Sequence, residues 1–176
     1  MRSPVLETGS LDIGFLRLPI GGHSALDVVT VHREPFVLVV PSSHKLAKRK
    51  RVRLREVASE NFVMYERTWA PGFHDLMFGI LRDAGIVPNV TQTVGEIPTL
   101  ISLVHSGMGI TIAPLSVVIH SVPSVVICEI LDRTPMCEIG MAVSKRVRAA
   151  VVDNFRSFAL KTLGHSRHAR MPTGVD

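Results

Sequence analysis

Arg17 and the run Thr68-Trp69-Ala70-Pro71-Gly72-Phe73 are the residues of this 176-residue chain best suited to hold a small anion. Pro71 and Gly72 open the strongest helical pattern in the sequence. Amides in the first turn of a helix have no intrahelical acceptor, and they lie at the positive end of the macrodipole. A carboxylate placed there gains about 0.3 to 2 kcal/mol, so other contacts must share the load. Thr68 offers a hydroxyl and Trp69 an aromatic wall. Arg17 falls at the carboxyl end of a predicted strand, where its guanidinium can grip a carboxylate through two nitrogens. Thr99, in a second predicted helix, and Pro114 and Ser116, where a buried strand ends, complete the candidates. Each has a plainer reading. Pro71 and Gly72 merely start a helix, Phe73 merely packs, Arg17 is an exposed loop residue and Thr99 an exposed helical one. Glu96 reads as a dipole-stabilising residue at the start of the second helix.

The elements that must position these residues follow from periodicity. Phe73, Leu76, Met77, Ile80, Leu81 and Ala84 recur at helical spacing over residues 72–84, and Gly85 stops the pattern. A strand is predicted over 90–94 and a second helix over 97–106, with Leu100, Ile101, Leu103 and Val104 on its apolar face. Gly107 and Gly109 supply a stop and a tight re-entry into a strand over 110–113, which Pro114 ends. With a strand over 62–65, this strand-helix-strand-helix-strand order predicts a parallel sheet with right-handed crossovers. Further strands are predicted over 11–17, 26–32, 35–40, 125–131 and 136–144, with a short helix over 54–58 and an amphipathic one over 147–163. The tail, 164–176, has no apolar periodicity and is expected to be disordered. The class is α/β.

Composition narrows the possibilities. An apolar content of 46% suffices for a globular core, and a mean hydropathy of +0.29 with 20% charged residues predicts some apolar surface for a partner. The longest unbroken apolar run is Phe36-Val-Leu-Val-Val40, far short of the roughly 20 residues a membrane helix needs. With no secretory leader pattern either, a cytoplasmic location is expected. Lys45, Lys48, Arg49, Lys50, Arg51, Arg53 and Arg55 hold the entire positive balance of a chain with net charge +5. They form either a phosphate-touching patch or a solvated loop. Cys128 and Cys137 read as two buried thiols, with a bridge possible but unsupported. His-Glu-x-x-His, Gly-x-Ser-x-Gly, Walker and dinucleotide glycine patterns are all missing, so no catalysis, metal or cofactor is expected.

Four segments, in order, carry a resemblance: Leu11-Asp-Ile-Gly-Phe15, Glu34-Pro-Phe-Val-Leu-Val-Val-Pro-Ser-Ser-His-Lys-Leu-Ala47, Ala84-Gly-Ile-Val-Pro88 and Leu103-Val-His-Ser-Gly-Met-Gly-Ile-Thr-Ile-Ala-Pro114. Together they resemble the effector-binding domain of LysR-type transcriptional regulators, over about residues 11–163. The segment from Tyr65 to Phe73 is most similar to members that sense aromatic-degradation metabolites. The resemblance implies a periplasmic-binding-protein type II-like fold, with two Rossmann-like lobes joined by crossover strands. Residues 1–39 and 127–163 would form a partial lobe one, and 40–126 lobe two.

It further implies a small-molecule effector in the interlobe cleft, faced by Arg17 from lobe one, and a homo-oligomer. The family's winged helix-turn-helix, linker helix and first strand-helix units have no counterpart here, so DNA contact is expected only through a helix-turn-helix outside these residues. Two other functions compete: a solute-binding protein of a transport system, and a stand-alone oligomerisation module of a regulator.

Overall fold

The computed structural model describes residues 3–20, 25–119, 125–146 and 149–163. Three hydrogen-bonded sheets organise them, and two of these, joined by a single bridge, are taken together as the larger sheet. The larger is built on the predicted run of alternating elements: β5 (Asn61–Tyr65), α2 (Pro71–Asp83), β6 (Asn89–Val94), α3 (Ile97–His105) and β7 (Thr111–Pro114). β5 and β6 are parallel, and Phe62 makes a parallel bridge to Ile110, just ahead of β7. The Val63 N–H donates to the Ile110 carbonyl at 2.9 Å, and the Ile110 N–H donates to the Asn61 carbonyl at 2.8 Å. The parallel part of the sequence reading therefore stands, but the sheet goes on as a mixed one. β3 (Phe36–Pro41) lies antiparallel between β7 and β8 (Val125–Ile130), and β4 (Arg51–Val52) joins β8 in parallel.

β3 shows why this sheet is stable. Its FVLVVP run is buried at every position. Phe36, Leu38 and Val40 pack on one face with Phe73, Met77, Ile80 and Leu81 of α2, while Val37 and Val39 pack on the other with Leu100, Ile101 and Val104 of α3. Alternation of side chains across a strand covered on both faces requires such an unbroken apolar run. Pro114 is the last residue of β7 and still sits opposite Phe36, so it closes the strand from within.

Both helices end as their glycines predict. Gly85 at φ +76° follows α2 and Gly107 at φ +80° follows α3, and in each case the next amide reaches back into the helix. Ile86 N–H donates to Leu81 and Met108 N–H to Leu103, the pairing of a Schellman cap. Gly109 has a different reason: a Cβ there would lie 2.7 Å from the Asn61 carbonyl oxygen of β5.

In the smaller sheet, β9 (Cys137–Ser144) lies between β1 (Ile13–Leu18) and β2 (Leu26–Glu34), antiparallel to both. α1 (Ser3–Glu7) covers one face through Leu6 on Leu26 and Ala142. α5 (Ala150–Leu163) covers the other through Ala159 on Val31 and Met141. The chain passes between the sheets twice, at Pro35 between β2 and β3 and over residues 131–136 between β8 and β9. A short 3-10 turn, Leu54–Val57, replaces the helix expected at 54–58, and α4 (Leu115–Ile119) follows β7 directly. The tail expected to be disordered, 164–176, lies outside the described residues.

Three of the seven basic residues of the run meet acids. Lys45 pairs with Glu60 at 2.5 Å, Arg51 with Glu129 at 2.9 Å, and Arg49 with Glu56. Those three form exposed salt bridges of the ordinary surface kind. Cys128 and Cys137 are both buried and free, on strands of different sheets. Burial is the main cause that pushes the Cys137 thiol up to about 11.

Candidate functional site

The two sheets face each other across the start of α2. Its Phe73 is 3% exposed; it stacks on Phe36 with centroids 6.1 Å apart and meets Tyr65 edge-on at 5.7 Å. Tyr65, Phe73 and Met77, with Ile97 and Leu100 of α3 and Ile112, Ala113 and Pro114 of β7, line a shallow apolar hollow of about 10 Å³. Burial, followed by the nearby Glu96 charge, raises the Tyr65 phenol above its ordinary value.

Arg17 reaches this hollow from the other sheet. β1 extends to Leu18, so Arg17 lies within the strand, opposite Ile139 of β9, and its backbone is fixed by the ladder. Its guanidinium sits 5.6 Å from the centroid of the Phe73 ring, the geometry of a cation–π contact. Nη1 also donates to Glu34 Oε1 at 3.3 Å and lies 3.5 Å from Cys137 Sγ. Glu34 is fully buried, and its carboxylate accepts two further hydrogen bonds, from the Ser116 N–H at 2.5 Å and the Ser116 hydroxyl at 2.9 Å.

The nine residues proposed from sequence thus divide. Phe73 and Pro114 line the hollow, Arg17 meets it through the Phe73 ring, and Ser116 reaches Arg17 only through Glu34. Gly72 lies against the loop after β1, where a Cβ would come 2.1 Å from the Pro19 carbonyl oxygen. A backbone oxygen of the protein therefore already stands beside the start of α2. Pro71, at the first helical position, is exposed.

Thr68 and Trp69 are exposed in the loop that leads into α2. The Thr68 hydroxyl donates to Glu66 at 3.1 Å, and the Trp69 indole lies flat on Gly95, where a Cβ would fall 2.5 Å from Nε1. Thr99 is exposed, whereas its neighbour Leu100 lines the hollow. Glu96 is the N-cap residue of α3 but makes no side-chain capping bond. Glu34, Tyr65 and Ile97 were not singled out as site residues by sequence reasoning. The signal available for Glu34 was a carboxylate set immediately before an entirely apolar strand, where it has no solvent to face.

The loop before α2 is tied down by Arg67, which donates Nε and Nη2 to the two carboxylate oxygens of Asp75, each at 2.9 Å. This bidentate pair, with His74 Nδ1 at 3.0 Å as the lesser contributor, holds the Asp75 carboxyl at about 2. The folded-state value is depressed, so the pair's contribution is present above the ordinary value of 3.8 and is lost as pH falls through about 2. Carboxyl chemical shifts followed over that range are expected to show Asp75 titrating near about 2 rather than at its ordinary 3.8. Arg67→Gln should return it toward 3.8.

Among the described residues no group of three or more His, Cys, Asp or Glu is placed to hold a metal ion, and no helix is long and apolar enough to cross a membrane. Two α/β layers joined by two chain crossings have the periplasmic-binding-protein type II-like fold. Residues 3–164 match the LysR substrate binding domain, and the chain belongs to that family, which supplies effector-binding domains to transcriptional regulators and not enzymes.

Relatives agree with that assignment. The chain is 39% identical to the uncharacterized HTH-type transcriptional regulator YnfL of Escherichia coli (strain K12) over 114 residues, 65% of this chain and 38% of that protein. It is 27% identical to the HTH-type transcriptional regulator BudR of Raoultella terrigena over 150 residues, 85% of this chain and 52% of that protein. It therefore spans between about a third and about a half of the curated relatives it matches. Among solved structures, the effector binding domain of QuiR in complex with shikimate superposes with a TM-score of 0.82 at 21% identity, covering 94% of this chain and 78% of that one. The BenM effector binding domain with its effector benzoate gives 0.79 at 22%, covering 99% and 79%.

Proposed function

We propose that this domain senses a small ring-bearing carboxylate in the cleft between its two sheets, and that in the longer regulator its occupancy controls DNA binding and transcription. The observation that carries this reading is Arg17 held over Phe73 at the hollow, 5.6 Å from the ring centroid. The cation comes from the smaller sheet and the apolar lining from the larger, so a ligand that touches both has differential affinity for the open and closed settings of the two. Only such a difference can shift a conformational balance, and moving one from 1:99 to 99:1 takes about 5.5 kcal/mol.

The partial lobe one expected at 1–39 with 127–163 and the lobe two expected at 40–126 take their crossovers at Pro35 and residues 131–136, so that β3 and β8 go with lobe two. Arg17 takes the carboxylate; the first turn of α2, Pro71-Gly72-Phe73, lies beside it, but the Pro19 carbonyl oxygen already stands against Gly72. Pro114 and Phe73 bound the ring. Thr68 and Trp69 close the rim, with Thr99 beside it. The acids that QuiR and BenM hold, shikimate and benzoate, each combine one ring with one carboxylate, the groups that Phe73 and Arg17 would meet.

The regulator works in the cytoplasm as a homo-oligomer and meets DNA through a helix-turn-helix outside these residues. Val151, Phe155 and Phe158, exposed along α5, offer apolar surface for such an assembly. Titration calorimetry with benzoate and with shikimate tests the reading. At least one is expected to bind, and Arg17→Ala to weaken it by roughly 10- to 100-fold, the worth of a hydrogen bond to a charged group. Equal affinity in the parent and Arg17→Ala would place the ligand elsewhere.

A further inference from the structure

We propose that Glu34 is the resident carboxylate of this site, a positioning residue that holds Arg17 and Ser116 and yields Arg17 to the carboxylate of an arriving ligand. The proposal rests on the effector reading above. Three donors from two elements, Arg17 of β1 and the amide and hydroxyl of Ser116 in α4, converge on one carboxylate that is 0% exposed. An isolated charge buried in that way is costly; a paired and hydrogen-bonded one is tolerated.

The three bonds are unequal. Those from Ser116 measure 2.5 and 2.9 Å, whereas Arg17 approaches through a single nitrogen at 3.3 Å, longer than the 2.7 to 2.9 Å usual for a charge-assisted bond. Arg17 is also the reachable member, its side chain 22% exposed against 0% for Glu34. A ligand can therefore engage the guanidinium and cannot touch the glutamate. Position adds a consequence: Glu34 closes β2, Pro35 carries the chain into the larger sheet, and Ser116 follows β7 of that sheet. The carboxylate thus ties the two sheets beside their crossing. Its negative charge also opposes any anion that approaches Arg17, so Glu34 lowers affinity for anionic ligands as the condition for being displaced by them.

Two measurements on the 176-residue chain test this. In urea titrations, Glu34→Gln and Ser116→Ala are each expected to lower the folding equilibrium constant by about 5- to 100-fold, with the double variant no worse than the poorer single one. Multiplicative effects would overturn the tie. Calorimetry then compares benzoate with neutral benzamide. Glu34→Gln is expected to raise the ratio of benzoate to benzamide affinity by about tenfold, because an opposing charge has gone. A merely structural glutamate would weaken both probes alike, and an unchanged or smaller ratio overturns the exchange of Arg17. If benzoate binds neither protein, the exchange step falls together with the effector reading, while coupling in urea still upholds the tie. If coupling is lost and the benzoate ratio rises, the tie alone falls.

Discussion

Phe73→Ala is expected to cost about 3 to 5 kcal/mol of folding stability, read as a lowered urea midpoint at unchanged slope. The side chain is 3% exposed, stacks on Phe36, meets Tyr65 edge-on and carries Arg17 on its face. Removing it deletes both an aromatic contribution to the larger core and the surface on which the guanidinium rests. A domain of this size has about 5 to 15 kcal/mol in hand, so the loss is a large share of the whole. Ligand affinity should fall with it, since the same ring lines the hollow. Phe73→Leu separates the two effects: it refills most of the core volume but supplies no π face. Recovery of the urea midpoint without recovery of binding would assign the ring its role at the site.

Gly72→Ala carries the second large expectation. A methyl group there has 2.1 Å to the Pro19 oxygen, 3.1 Å to its carbonyl carbon and 3.3 Å to its Cγ. The nearest obstacle is backbone, so no side-chain rotation relieves it. Alanine would otherwise favour the helix by about 1 kcal/mol over glycine. Crowding of this kind costs about 1 to 3 kcal/mol, and the available relief is to part the loop after β1 from the start of α2. The expected result is a lower urea midpoint with a wider separation of the two sheets in X-ray scattering, and weaker benzoate binding. If the midpoint and the scattering curve match those of the parent, the close approach of Gly72 to Pro19 plays no part in setting the cleft.

Much of the larger sheet was legible because its signals are local. The helical spacing from Phe73 to Ala84, the stops at Gly85 and Gly107 and the unbroken apolar run of β3 each follow from periodicity or backbone geometry within a few residues. α2 and α3 accordingly lie within a residue of their predicted bounds. Contacts between distant segments were not legible in that way. Nothing near Gly72 announces Pro19, some fifty positions earlier, since that approach depends on how two sheets meet. Ser116 was chosen as a hydroxyl beside a strand end, which it is, but its partner is Glu34, 82 positions away. Thr99 shows the cost of a one-position error on a helix: Leu100 turns to the hollow and Thr99 to water. The basic run from Lys45 to Arg55 looked unrelieved in one dimension, and in three dimensions glutamates from outside or within its own turn pair with three of its seven cations.

Trp69 is the only tryptophan in the chain, 52% exposed and laid on Gly95. Every photon of indole emission from this protein therefore originates where the loops that precede α2 and α3 meet. The domain carries an unlabelled optical gauge of that joint, and intensity or quenching changes can be assigned to that spot without introducing a dye.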